Sequence, residues 1–329
     1  MSTTTNRSST NGGPLPLVIV NPRSAAGSTK GKWAEIASDL RTHFGAFNVA
    51  FTKRHGDGIE LAKRGIANGR KFIIACGGDG TINEIANGIL ETGEDVEMGI
   101  LPSGTGGDFR RTIEMPQTMR EAARALRTGE TKTIDVGKVT FRNFEAETVS
   151  RFFLNVSSFG LAASIIERVK GNTSLNWFPV AGVRGRANFA LSTLQEVIGP
   201  SVSRVRIKID DGEEKTLDTV NFCVANARFF GGGMKIAPDA SLADGLFDIV
   251  NIGDISTMRI LLNAHMLYRG THLGLAEVNS KKARRIEARS FDDSVEIHIE
   301  TDGELPGMLP ATYEVVPAAL KLRVPRSVK

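Results

Sequence analysis

Two cysteines in 329 residues, Cys76 and Cys223, are too few for a disulfide framework, and each lies inside an apolar run. They are expected as buried small hydrophobes in a reduced chain, which points to a cytoplasmic setting. No stretch approaches the roughly 18 consecutive apolar residues that a spanning helix needs. The opening segment, MSTTTNRSSTNGG (Met1–Gly13), lacks the apolar centre of a signal peptide or anchor and reads as a disordered tail. Basic charge is also sparse. A net charge of +4 falls far short of the dense cationic stripe of a dedicated nucleic-acid binder, so no nucleic-acid partner is expected. It is compatible with transient contact with anionic lipid headgroups.

Several chemical signatures are missing as well. His43, His55, His265, His272 and His298 are scattered without metal-ligand spacing, and His298 reads as a structural residue of a strand. No serine stands in a G-x-S-x-G setting, which argues against an α/β-hydrolase. Neither G-x-x-x-x-G-K-[ST] nor G-x-G-x-x-G occurs, which excludes the standard P-loop and the dinucleotide fingerprint. No fixed-period repeat or low-complexity linker divides the chain.

What is present begins as an alternation of short apolar runs and helical spacing. PLPLVIVNP, FNVAFT, KFIIAC and EMGILP read as strands, separated by helical patterns over Lys30–Phe44, Ile59–Asn68 and Thr81–Leu90. Such alternation implies βαβ units and a mostly parallel sheet, with ligands near the carboxyl ends of the strands. After about residue 140 the texture changes. RFFLNVSSF, SRVRIKIDDGEEKTLD, VNFCVANARFF, LFDIVNIGD and VEIHIETDGE are strand-like, several alternating with period two. Helical patches near Val183–Ile198 and Ser256–Leu267 interrupt an otherwise antiparallel β region.

Three polar loops follow strands of the first half. FIIACGGDGTINEIANGIL places Gly77, Gly78, Asp79, Gly80 and Thr81 where a strand becomes a helix. Glycines permit close backbone approach, and a helix N-terminus offers unpaired N–H groups to an anion. Thr81 and Glu84 fit a capping box for that helix. Asp79 beside a phosphate calls for an intervening cation, usually Mg²⁺; a tight turn capped by the aspartate is the plainer alternative. MGILPSGTGGDFRRTI repeats the arrangement with Thr105 and Asp108, and NPRSAAGSTKG adds Ser24, Ser28, Thr29, Arg23 and Lys30. Three such loops at one sheet edge favour a nucleotide pocket.

In the second half, IHIETDGELPG sets Asp302 and Glu304 around Gly303. This is either a solvated turn or a corner facing the glycine loops, where one carboxylate could accept a proton from an attacking hydroxyl. GGGMKIAPDASLADGLFDIV offers Asp244 with the neighbouring carbonyls of Ser241 and Leu246 either as an ordinary Asp-Gly turn or as a seat for a hard cation. TSLNWFPVAGVRGRANFAL pairs Trp177 and Phe178 with Arg184 and Arg186, as a membrane-touching patch or as an ordinary core helix with a basic face.

The series NPRSAAG, GGDGTINEIANGI, LPSGTGGDF, GGGMKIAPDASLADGLFDIV and DGE resembles, in order and spacing from about residue 15 to 325, the diacylglycerol kinase catalytic-domain family of bacterial soluble lipid kinases. The resemblance implies an α/β nucleotide domain (Rossmann-like, NAD kinase/diacylglycerol kinase-like) over 14–140 plus a returning segment near 315–329. A β-sandwich lipid-substrate domain over 141–314 would complete it, with the active site in the cleft between them. The activity implied is transfer of the γ-phosphate of ATP, with Mg²⁺, to a lipid hydroxyl, foremost that of diacylglycerol. A sphingoid base, another lipid or NAD as acceptor, or a regulator without catalysis, are the alternatives. Asn21, Pro22, Arg23, Ser24, Ala25, Thr52, Gly78, Asp79, Gly80, Thr81, Ile82, Asn83, Glu84 and Thr105 would contact ATP. Asp79 and Asp108 would organise Mg²⁺, and Glu304, with Asp302 beside it, would take the hydroxyl proton. Ser241, Asp244 and Leu246 match a structural Mg²⁺ site of some members. The implied partners are ATP and a membrane lipid met at the inner membrane face, with homodimerisation left open. Two positions depart from the family pattern: Gly107 stands where asparagine is usual, and Ala162-Ala163 where an acid is common.

Overall fold

A computed structural model of the protein describes residues 14–104, 106–171 and 202–326. The Met1–Gly13 tail, Thr105, and the segment containing Trp177, Phe178, Arg184, Arg186 and the helix expected over 183–198 lie outside the described residues.

The first half is a βαβ arrangement. Strands β1 (Leu17–Val20), β2 (Asn48–Phe51), β3 (Phe72–Gly77) and β4 (Glu97–Pro102) pair in parallel in the order β2-β1-β3-β4. The centres of β1, β3 and β4 are continuous apolar runs because helices cover both faces, leaving Val18, Ile74, Ile100 and their neighbours fully buried, while β2 is an exposed edge. The helices are α1 (Ser28–Gly31), α2 (Trp33–His43), α3 (Asp57–Ala67), α4 (Asp79–Leu90), α5 (Asp108–Thr112) and α6 (Met119–Thr128). The pattern over Lys30–Phe44 thus divides into two helices. Residues 81–89 of α4 are all buried, so this helix is a core element.

The second half is a two-layered β structure. One layer runs β14 (His298–Thr301), β7 (Val156–Gly160), β10 (Asn221–Ala225), β11 (Phe247–Ile252) and β12 (Val278–Ala283). The other comprises β6 (Thr148–Phe153), β5 (Glu130–Arg142), β13 (Arg285–Ser290), β8 (Ser203–Ile209) and β9 (Lys215–Thr219), with β15 (Glu304–Val324) pairing between β5 and β13. Alternate residues of both layers meet in a core that includes Phe141, Phe153, Phe159, Phe222, Phe247, Ile286 and Tyr313. Phe159 stacks on Phe222 with centroids 5.1 Å apart. Helix α7 (Leu161–Gly171) follows β7, and α8 (Thr257–Arg269) connects β11 toward β12.

The 21-residue β15 joins the halves. Its first part pairs with β14 and β13. Its last part pairs in parallel with β4, Lys321 opposite Glu97 and Leu322 opposite Met98. Strand β5 accompanies it, from Arg142 opposite Met308 to Glu130 opposite Val324. The change of texture near residue 140 therefore falls inside one continuous strand. Buried Asp135 fastens this ribbon: its carboxylate accepts from the amides of Ala318 at 2.8 Å and Gly245 at 2.7 Å.

Candidate active site

Strand polarity brings the loops after β1, β3 and β4 to one edge, where they line a cavity of about 340 Å³. Ala25, Ser28 and Thr29 come from the first loop, Gly77, Gly78 and Asp79 from the second, and Ser103, Gly104, Gly106 and Gly107 from the third. Lys32, Arg110 and Arg111 add cations to the wall. Hydroxyls stitch the loops together: buried Thr29 Oγ1 lies 2.7 Å from Ser24 Oγ and 2.5 Å from Ser103 Oγ. The glycines permit the close fit. A Cβ on Gly104 would stand 2.6 Å from Gly78 Cα, so the second and third loops touch backbone to backbone. Gly107 takes φ +65°, the left-handed conformation in which glycine and asparagine are the least strained residues.

Asp79 caps the third loop. Its Oδ2 accepts from Gly107 N at 2.8 Å and, more distantly, from Asp108 N at 3.4 Å; Oδ1 accepts from Phe109 N at 3.4 Å. Asp108 is buried, accepting from Arg111 Nη1 at 2.8 Å and Gly232 N at 2.8 Å. Burial pushes its carboxyl above the usual range against the Gly232 amide, and the nearby Asp79 charge adds to the rise.

The expected capping box does not form. Helix α4 begins at Asp79 with Gly78 as its N-cap, and Thr81 Oγ1 accepts from Asn21 Nδ2 at 2.9 Å, tying the first loop to the second. Glu84 reaches out of its helix altogether. Its Oε1 accepts from Gly56 N and its Oε2 from Gly58 N, each at 2.9 Å, so it caps α3 instead. Asn83 Nδ2 donates to Phe152 O at 3.1 Å and to Asp302 Oδ2 at 2.7 Å, crossing into the second half. Ala25, Gly78, Asp79 and Ile82 line the cavity. Pro22 and Arg23 lie in the first loop, where Arg23 N donates to Asn21 Oδ1 at 2.9 Å. Thr52 is buried at the end of β2, its amide donating to Val20 O at 2.9 Å.

On the other side of the Gly78–Gly80 turn stands the corner between β14 and β15. Glu304 Oε1 lies 4.0 Å from where a Cβ on Gly80 would be, an ordinary contact distance, so this carboxylate borders the turn. Arg151 Nη1 holds Glu304 Oε2 at 2.8 Å, while His55 Nδ1 sits 3.6 Å from Glu304 Oε1 and 3.0 Å from Glu84 Oε1. Nothing in the sequence marked His55 or Arg151, because neither belongs to a motif and both act through residues distant in the chain.

Asp302 has a different place from its neighbour. Its carboxylate accepts from the amides of Leu154 at 2.8 Å, Asn155 at 2.9 Å and Val156 at 3.2 Å, as well as from Asn83. Those amides lie where RFFLNVSSF breaks into β6 and β7. Burial pushes Asp302 up to about 6 against these four donors. Behind it, Glu300 accepts from Gly303 N at 2.6 Å and Ser158 Oγ at 2.7 Å, and burial pushes it up to about 7.

The cation seat expected at Ser241, Asp244 and Leu246 is taken by a lysine. Lys282 Nζ lies 2.8 Å from Asp244 Oδ2 and 3.0 Å from Asp248 Oδ2, Asp244 Oδ1 accepts from Leu246 N at 3.2 Å, and Ser241 Oγ accepts from Ala243 N at 3.3 Å. In this arrangement an ammonium, partly exposed, faces the Asp244 and Asp248 carboxylates. Among the described residues, no group of three acidic, histidine or cysteine side chains could hold a metal by itself. Asp79 borders the cavity and Asp108 feels its charge, and a Mg²⁺ that arrives on phosphates commonly takes one or two carboxylates from protein.

Residues 16–139 match the profile of the diacylglycerol kinase catalytic domain, and residues 158–324 that of the YegS C-terminal NAD kinase beta sandwich-like domain. A diacylglycerol kinase of Staphylococcus carnosus is 26% identical over 313 residues, 95% of each chain. Those of Mycobacterium tuberculosis and Bacillus subtilis are 28% and 27% identical, covering 82% and 90% of this chain and 82% and 91% of their own. A crystal structure of a diacylglycerol kinase from Bacillus anthracis superposes with TM-score 0.68 at 21% identity, over 96% of this chain and 98% of that one. Another structure from that organism reaches 0.74 at 24%, over 98% and 100%.

Proposed function

Because this chain belongs to the diacylglycerol kinase catalytic-domain family, a family of lipid kinases, we propose that it transfers the γ-phosphate of Mg·ATP to the free hydroxyl of diacylglycerol or a closely related glycerolipid. The observation that carries the reading is Glu304. A carboxylate from the last strand stands over the N-terminus of α4, across the Gly78–Gly80 turn from the glycine cavity.

In this reading the loop amides and the cations Lys32 and Arg110 receive the phosphates. Asp79 and Asp108 would hold the metal that comes with them, which would spread the charge developing on the transferred group. Glu304 accepts the acceptor's hydroxyl proton as the new bond to the γ-phosphorus forms and ADP departs. Arg151 holds that carboxylate in place, with the His55 ring 3.6 Å away. Asp302 is the wrong candidate for the base, since its oxygens are committed to four N–H donors. Catalysis is then mainly positioning and electrostatics, with base removal costing at least about a hundredfold.

Mass spectrometry of products from Mg·ATP and a mixed lipid extract tests this directly. Phosphatidate formed by the wild type, and reduced at least about a hundredfold in Glu304→Gln, is the expected result. A phosphorylated sphingoid base would replace the acceptor, and no phosphorylated lipid at all would leave a nucleotide- or lipid-binding regulator.

A further inference from the structure

Helix α8 turns an apolar face outward. Leu267 packs on the small core of Val156, Cys223, Ile236 and Val250, yet Met258, Leu261, Leu262 and Tyr268 are 65, 46, 65 and 56% exposed. Positions 258, 261, 262, 265 and 269 recur at helical spacing and share one side of the helix. Patches of this kind mark docking sites on soluble proteins.

The charge on this helix is one-sided. TMRILLNAHMLYR contains no aspartate or glutamate. Arg259 is answered by Glu277, with Nη1 and Nη2 each 3.0 Å from a carboxylate oxygen. Arg269, exposed in the last turn, has no acidic partner among the described residues. Lys235 lies at the base of that turn, its amide donating to Leu267 O at 2.8 Å and its Nζ 5.9 Å from the Phe229 ring centre. Three residues earlier, Gly232 N donates to Asp108 Oδ2 at 2.8 Å. Three residues of chain span at most about 10 Å, so the last turn of α8 lies within about 16 Å of the Asp108 carboxylate.

We propose that the exposed face of α8 docks this protein onto an anionic lipid bilayer, an inference that rests on the lipid-kinase reading above. Met258, Leu261 and Leu262 enter the boundary between headgroups and acyl chains. Tyr268 keeps its hydroxyl in the wet layer, and Arg269 and Lys235 meet lipid phosphates. A second copy of this chain fits the face less well. It would bring Arg269 and His265 of both copies together with no helix carboxylate to answer them.

Full-length protein and two variants, M258E/L262E and R269E, test the proposal by co-sedimentation with phosphatidylcholine vesicles, with and without phosphatidylglycerol. Phosphorylation is followed in parallel on vesicle-borne diacylglycerol and on a water-soluble short-chain diacylglycerol. M258E/L262E is expected to bind anionic vesicles about tenfold or more weakly and to lose vesicle turnover in step. Its short-chain turnover and thermal midpoint stay at wild-type values. R269E is expected to weaken binding only where phosphatidylglycerol is present. Equal binding by wild type and M258E/L262E, or binding by neither, overturns the proposal. So does a wild-type dimer in sedimentation velocity that M258E/L262E splits, because a second copy then covers the face. The binding arm involves no phosphoryl transfer. A wild type inactive on every diacylglycerol would overturn the kinase reading, while vesicle binding would still decide the docking.

Discussion

Arg151 Nη1 meets Glu304 Oε2 at 2.8 Å, so a side chain of β6 fixes the direction of a carboxylate on β15. The pair is partly exposed, and its weight in stability is small, within about 1 kcal/mol. Its weight in turnover should be larger. Arg151→Met is expected to lower kcat about tenfold with little change in ATP KM, the cost of a mispositioned base. In a double-mutant cycle with Glu304→Gln the two losses should fall well short of additive. Additive losses would show that Arg151 acts elsewhere.

Asp302 and Glu304 should separate by what their loss damages. Asp302→Ala strands three main-chain N–H groups, while Asn83 Nδ2 keeps its bond to Phe152 O. At about 1–3 kcal/mol for each buried unpaired group, the variant should lose several kcal/mol in urea unfolding. Glu304→Gln should unfold at the wild-type midpoint and lose turnover instead.

The Glu300 carboxyl gives a pH signature. Its folded-state value of about 7 lies above the ordinary 4.5, because burial disfavours the charge. Between those values the unfolded chain has lost a proton that the folded chain keeps, so this contribution to stability is full below about 4.5 and falls as pH rises toward 7. Glu300→Gln can still accept from Gly303 N and donate to Ser158 Oγ. Its unfolding free energy should vary less with pH across that window, as chemical unfolding at a series of pH values would reveal.

Lys282 predicts a metal response. In the wild type its ammonium bridges Asp244 and Asp248, so the thermal midpoint should be the same in EDTA and in Mg²⁺ when no nucleotide is present. Lys282→Met leaves two carboxylates facing each other and should cost about 1 kcal/mol in EDTA, a modest value because the pair is partly exposed. Added Mg²⁺ should restore part of that loss. A Mg²⁺-sensitive wild type would contradict the assignment of the lysine as the resident cation.

The parallel strands and their glycine loops were legible because each signal is local: an apolar run, then glycines, then helical spacing. Chemistry that depends on chain crossings was not. Thr81 and Glu84 fitted a capping box by spacing, yet Asn21 and the Gly56–Gly58 amides compete for those same side chains and prevail. Asp302 and Glu304 looked interchangeable two residues apart. A corner with Asp302 at φ +48° sends one carboxylate into the β6–β7 break and the other toward Gly80. Asp244 matched a cation-seat pattern, but its partner Lys282 is 38 positions away. Strands β12 and β13 escaped notice because their exposed faces are charged, as in the SKK of β12 and the RIEAR of β13.

The continuous strand β15 has a consequence for the order of folding. During synthesis, β4 emerges more than two hundred residues before the Lys321–Leu322 segment that completes its hydrogen bonding. Until then the nascent amino half carries a bare parallel edge, open to chaperones and to mispairing. The amino half is therefore finished last, by residues translated after all of its own helices.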